Sequence, residues 1–197
     1  GLFMKKNWLI AIDAGHGKYT PGKQTPDGAK EWHFNNKVVQ TIEKRLRKAN
    51  GIKYIRVDDP TGEKDRSLIE RVKLANIKQA DLYISIHHNA NTGKWGTWTG
   101  VETFVMMPKS KNPKSTIAAQ CIHPKVVKAM ALKDRGIKEA NYFVLKETTM
   151  PAILIEGGFM DSTIDIKRIR DRKRLEMQGN AIVEGILEYI SLIKDRF

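Results

Sequence analysis

The sequence predicts an α/β fold, a three-layer sandwich in which a twisted, mostly parallel sheet of about six strands lies between helices on both faces. Short apolar runs alternate with amphipathic segments of helical length along the whole chain, which is the signature of helices packed on a sheet. Two of those runs, Leu9 to Ile12 and Ala152 to Ile155, are apolar without interruption, as expected of strands covered on both sides. The 197 residues are 41% hydrophobic and carry no repeat, low-complexity tract or long linker. A single domain over residues 1–197 with one sizeable core follows.

In order, the first strand ends in Asp13-Ala-Gly-His-Gly, where Gly15 and Gly17 let the backbone turn sharply around His16. A polar loop from Lys18 to Gly28 leads to a helix that the periodicity predicts from Asp27 or Gly28 to about Asn50, with Val38, Val39, Ile42 and Leu46 on its apolar side. Ile52 to Val57 is a second strand, and Asp58 to Lys64, with Pro60 and Gly62, a loop. A helix from about Ser67 to Gln79 buries Leu68, Val72, Leu74 and Ala75. Leu82 to His87 and Val101 to Met107 are strands around a loop that holds Trp95 and Trp98. Helical material fills Pro113 to Leu132, where Pro124 is expected to kink or split it. Tyr142 to Leu145 reads as a short strand, Ala152 to Ile155 as another, and Leu175 to Ile193 as the last helix.

The lone cysteine, Cys121, excludes an intramolecular disulfide and reads as a buried thiol. No apolar run approaches the ~20 residues of a membrane helix, so no membrane insertion is expected. Lys5, Lys6 and the apolar residues 8–12 imitate a secretion signal, but the run is too short and Asp13 interrupts it. Residues 1–3 precede Met4 and read as a remnant of recombinant expression. The net charge of +13 is spread along the chain, densest from Lys167 to Arg174, which favours long-range attraction to a polyanion over base-specific readout. By charge alone, nucleic acid, anionic wall polymers and a merely solvated face all stay open.

Four polar residues mark ends of elements: His16 after the first strand, Glu31 near the start of the first long helix, His87 at the end of Ser85-Ile-His, and Glu156 after Pro-Ala-Ile-Leu-Ile. A His-Glu-His set with one open position is the donor arrangement of a hydrolytic zinc site. Glu156 follows four apolar residues and precedes two glycines, so it has no evident structural task, and burial would raise its pKa toward that of a useful base. Along an extended strand His88 faces the opposite way from His87. His33 and His123 read as solvated or core histidines.

Asp13-Ala-Gly-His16-Gly, Glu31 with Asn35, Arg71 with Ala75-Asn76, Ala80-Asp81 leading into Ser85-Ile-His87, Asp134-Arg135-Gly136 and Pro151-Ala-Ile-Leu-Ile-Glu156-Gly-Gly-Phe together resemble the zinc-dependent N-acetylmuramoyl-L-alanine amidases of the type-3 family. These are catalytic domains of phage endolysins, autolysins and sporulation amidases. The resemblance implies one Zn2+ held by His16, Glu31 and His87, with Glu156 as catalytic acid/base. It also implies hydrolysis of the amide between N-acetylmuramic acid and L-alanine in peptidoglycan. The chain departs from the family in carrying His88 where a small residue is common. On this reading the partners are peptidoglycan and, through the basic surface, anionic wall polymers, with no nucleic acid, and the chain is a monomer. Synthesis in the cytoplasm without a signal, then action on the wall after release, is expected, or secretion if a signal has been removed. Trp95 and Trp98 are candidates for a substrate groove, with rim packing as the equal alternative.

A zinc carboxypeptidase would need a tight His-x-x-Glu pair, and the third residue after His16 is Tyr19. A non-catalytic module binding wall polymer would explain the charge but gives Glu156 nothing to do.

Overall fold

The computed structural model describes residues 7–196; residues 1–3, Lys5 and Lys6 lie outside the described residues. The elements are β1 (Trp8–Ala14), α1 (Glu31–Leu46), β2 (Ile52–Arg56), α2 (Leu68–Ile77), β3 (Leu82–Asn89), β4 (Val101–Met106), α3 (Pro113–Met130), β5 (Asp134–Ala140), α4 (Phe143–Lys146), β6 (Ala152–Phe159), α5 (Ile166–Ile169) and α6 (Arg172–Arg196). The six strands form one sheet in the order β2-β1-β3-β6-β4-β5. Every pairing is parallel except that between β4 and β6.

Strand parity builds the layers, because successive side chains leave opposite faces. Ile10 and Ile12 of β1, Leu82, Ile84 and Ile86 of β3, and Ile153 and Ile155 of β6 share one core with buried residues of α1, α3 and α6. Ala11, Tyr83, Ala152 and Leu154 point the other way, toward Val72 and Ala75 of α2 and Val144 and Leu145 of α4. Three layers result. By the same parity Asp13, Ser85, His87 and Glu156 fall on the α2 face, and all stand toward the carboxyl ends of parallel strands, the edge where open α/β sheets gather their chemistry.

The local expectations differ from the structure at several places, among them Leu68, expected to be buried but half exposed as the first residue of α2. The first helix starts at Glu31, not at Asp27 or Gly28, because residues 25–30 are tied into a turn: the Thr25 hydroxyl donates to Asp27 and accepts the Ala29 amide. It also stops at Leu46, short of Asn50. Tyr142 to Leu145 is not a strand. The Tyr142 carbonyl accepts the amides of Leu145 and Lys146 and so opens the single turn of α4. The edge strand is instead Asp134–Ala140, paired with β4. Pro124 does not split α3, which runs unbroken from Pro113 to Met130. An interior proline costs a helix about 3 kcal/mol, and here Ile122 and Val126 on either side of it are fully buried against the sheet and α6. Cys121 is buried, as expected. Among the described residues no helix is long and apolar enough to cross a membrane.

Candidate active site

The turn after β1 is held in a conformation its sequence makes possible. A Cβ on Gly15 would lie 2.2 Å from the His87 ring, so only glycine lets the two segments meet. His16 adopts φ 65°, a left-handed conformation that costs an L residue about 1–2 kcal/mol. The Arg71 guanidinium from α2 holds it there. It donates to the His16 carbonyl at 3.1 Å, to the Ala14 carbonyl at 2.8 Å and to Asp13 at 2.7 Å. Asp13 in turn accepts from the Tyr83 and Ser85 hydroxyls at 2.8 and 2.9 Å. Burial would raise the Asp13 carboxyl, but Arg71 outweighs it and keeps the group below the usual carboxylate range.

The loop, α1 and β3 bring one donor atom each from His16, Glu31 and His87 within 4.8 Å of one another. His16 Nε2 lies 3.5 Å from Glu31 Oε1, and His87 Nδ1 lies 3.1 Å from Glu31 Oε2. The two imidazoles meet edge to face with centroids 5.1 Å apart. Asn35, one turn along α1, donates to Glu31 at 3.0 Å and to the Gly15 carbonyl at 3.1 Å, coupling helix and loop. Burial lowers His16 to about 4, so its ring is neutral with a lone pair to give. Burial acts against charge on Glu31 and His87 too, but their mutual hydrogen bond and attraction win, holding Glu31 low and His87 high.

Glu156 stands opposite His87 in the β3–β6 register. Its Oε2 is buried and, among the described residues, meets no hydrogen-bonding partner. Burial first, then the charges of Glu31 and Glu102, push its carboxyl up to about 8. His16, Glu31, His87 and Glu156 line one cleft of about 400 Å³, walled on the far side by Leu68, Tyr142, Phe143 and Leu154. That size suits a small segment of a larger substrate. The His88 ring is buried between Asn35 at 2.7 Å and Gln178 at 3.1 Å, so it braces α1 against α6, while its backbone amide donates to Glu31 at the cleft. His33 is exposed, and His123 is buried between Thr103 and Asp134.

Trp95 and Trp98 do not line this cleft. Trp98 donates its indole N–H to Asp161 at 2.8 Å, and Trp95 lies half-exposed beside the Arg170 guanidinium, 6.0 Å from its ring centroid. Asp161 also accepts three successive amides, from Asn91, Thr92 and Gly93, and so fixes the whole tryptophan loop. Glu102, opposite Glu156 in the β4–β6 register, was missed in the sequence; it accepts from Asn89, Arg135 and Lys138. A carboxylate between Val101 and Phe104 in an apolar strand was the available signal.

A sequence model described as N-acetylmuramoyl-L-alanine amidase matches residues 10–188. The chain is 31% identical over 191 residues to an endolysin of Bacillus phage SPP1, covering 94% of this chain and 67% of that one. It is likewise 31% identical over 186 residues to the sporulation-specific N-acetylmuramoyl-L-alanine amidase of Bacillus subtilis, covering 94% and 69%. The crystal structure of an N-acetylmuramoyl-L-alanine amidase from Clostridium difficile 630 superposes with a TM-score of 0.86 at 32% identity, over 94% of this chain and 98% of that one. The catalytic domain of the amidase CwlV from Bacillus (Paenibacillus) polymyxa gives 0.84 at 28% identity, over 93% and 98%.

Proposed function

The chain belongs to the N-acetylmuramoyl-L-alanine amidase family, hydrolases of peptidoglycan in cell-wall lysis or remodelling, and from that membership we propose that His16, Glu31 and His87 hold a zinc ion while Glu156 moves the proton of the reaction. The observation that carries this reading is the meeting of two imidazoles and a carboxylate from three separate elements within 4.8 Å, in a cleft they share with Glu156, whose buried Oε2 meets no hydrogen-bonding partner among the described residues. The donor chemistry fits zinc. Two nitrogens and one oxygen, one imidazole already neutral and the carboxylate already anionic, make up a three-residue hydrolytic set. Asn35 behind Glu31 supplies the outer support such a set needs to keep its orientation.

Zinc bound there supplies Lewis acidity, which polarises the scissile carbonyl and makes water deprotonate near neutral pH. The chain's own residues do the rest. Glu156 accepts a proton from the attacking water, which adds to the lactyl carbonyl of N-acetylmuramic acid. Glu156 then returns that proton to the L-alanine nitrogen as the C–N bond breaks, so one water is consumed and an acid and an amine are released. Without metal the carboxyl is raised to about 8 and holds its proton at neutral pH; the positive charge of a bound zinc would lower it into the range where it can both take and return one. Leu68, Phe143 and Leu154 give the cleft an apolar wall beside the reacting atoms.

Residues 10–188 act on this reading as one catalytic domain, a monomer whose basic surface adds attachment to anionic wall polymers, with neither nucleic acid nor membrane insertion involved. Two measurements test the proposal together: metal content of the purified protein, and release of L-alanine amino groups from purified cell wall before and after chelation. One zinc per chain, with release that stops on chelation and returns on refilling, is expected. Undiminished release by the chelated protein would remove zinc from the account.

A further inference from the structure

The loop between β1 and α1 carries three lysines that differ in what they touch. Lys18 pairs with Glu63 at 3.2 Å. Lys30 donates to the Thr20 carbonyl at 3.2 Å and to the Gln24 side chain at 2.7 Å. Lys23 is exposed, and among the described residues its ammonium has no hydrogen-bond or ion-pair partner. Yet its backbone is fixed where the site begins, because its carbonyl accepts the amide of Glu31 at 2.9 Å. Lys23 is also the only lysine or arginine in the lining of the cleft, and its charge is felt at both His16 and Glu156.

We propose that Lys23 is a specificity-determining residue that receives a carboxylate of the stem peptide, namely the free α-carboxylate of the γ-linked glutamyl residue that follows L-alanine. This rests on the amidase reading above, which puts the scissile amide at His16, Glu31, His87 and Glu156. The leaving side of that amide is L-alanine, and the next residue is the first on the stem to bear a charge. One residue advances a chain by about 3.3–3.6 Å, and a lysine's flexible stem presents its point charge at a range of positions beyond its anchored backbone. Of the remaining wall, Leu68, Phe143 and Leu154 are apolar, and Tyr142 and Asn89 offer neutral donors but no charge. A stem whose glutamyl carboxylate is replaced by a carboxamide therefore meets the same walls but leaves Lys23 without its ion pair.

The test uses two ligands that differ at one group, L-alanyl-D-glutamate blocked as the γ-methylamide and its α-carboxamide counterpart. Each is titrated calorimetrically into the intact protein as the product peptide, and each is assayed for kcat/KM as the N-acetylmuramoyl conjugate. Neither ligand has a third residue, so any discrimination reads the glutamyl carboxylate alone. The carboxylate form is expected to be favoured about fivefold, the upper end for an exposed ion pair. Lys23→Met should bring the ratio to about one, and Lys23→Glu should invert it. A ratio near one in the unaltered protein, or a ratio that persists in Lys23→Met, overturns the proposal. If neither conjugate is cleaved, the amidase reading fails on its own, while the binding ratio still decides the role of Lys23.

Discussion

Arg71 and Asp13 form a buried ion pair, 2.7 Å from Nη1 to Oδ1 with both side chains almost wholly enclosed, and through it the second helix holds the loop that presents His16. Removing one partner of such a pair strands the other's charge at about 3–5 kcal/mol. Arg71→Met is expected to lose that much in urea unfolding, and to bind zinc more weakly as the left-handed His16 relaxes. Asp13→Asn combined with Arg71→Met should cost less than the two single changes added together, which a double-mutant cycle reads directly. Strict additivity would mean that the pair does not couple.

Glu156 is expected to be dispensable for folding and essential for turnover. Its Oε2 makes no contact that the fold depends on, so Glu156→Gln should retain the parent unfolding midpoint and one zinc per chain. Loss of general acid/base transfer should lower amide cleavage by about 10²–10⁴-fold. Amino-group release from cell wall measures it, and a variant within tenfold of the parent would assign the proton to another group.

What was legible in the sequence follows from which residues fix their own surroundings. β1, β3 and β6 are runs of Ile, Leu and Ala that can only be buried, and the polar residues ending them necessarily share the carboxyl edge of a parallel sheet. His16, His87 and Glu156 were visible for that reason. Asp134–Ala140 has a single large apolar residue, Ile137, and takes its extended form from pairing with β4. Tyr142 to Leu145 has the composition of a strand, but a local turn satisfies its backbone first. Lys23 could not be told from Lys18 or Lys30, since only the folded loop shows which ammonium is left over.

The tryptophan loop hangs on one carboxylate. Asp161 accepts three amides and the Trp98 indole, and among the described residues no other side chain caps residues 91–93. Asp161→Ala leaves these donors to water, at a net cost of about 0.5–1.5 kcal/mol for each bond lost. The expected result is local loss of amide protection over residues 91–98 and a red-shifted Trp98 emission, with the sheet still protected. Unchanged hydrogen exchange in that loop would show that its packing suffices.

Attachment to wall should be the salt-sensitive part of the activity. The end of α1 and the turn after it expose Lys44 and Lys48 beside Arg45 and Arg47, only partly neutralised by Glu43 and Glu184. Exposed charges of this kind are screened beyond ~8 Å at physiological ionic strength. Pelleting with purified wall is expected to weaken steeply between low and high salt, while kcat on a soluble muramoyl peptide changes little. Equal decline of both would place the salt effect in the cleft.

Metal binding should release protons, and the pKa shifts give the sign. His87 is raised above its ordinary 6.5 because the Glu31 hydrogen bond and charge outweigh the burial that would lower it, so the metal-free protein holds that ring protonated at neutral pH. A ligating imidazole must give up that proton. His16, lowered to about 4, has none to give above pH ~5. Glu156, near 8, would contribute a second, so Glu156→Gln isolates the histidine. In that variant, zinc titrated calorimetrically at pH 7 in buffers of different ionisation enthalpy should displace at least one proton per ion, that of His87, with any proton from zinc-bound water added to it. The affinity should then rise about tenfold per pH unit up to the folded pKa of His87 and level off above it, where the ring is already neutral. A pH-independent affinity across that range would mean that His87 does not enter the metal's coordination, and the proposed donor set would lose its third member.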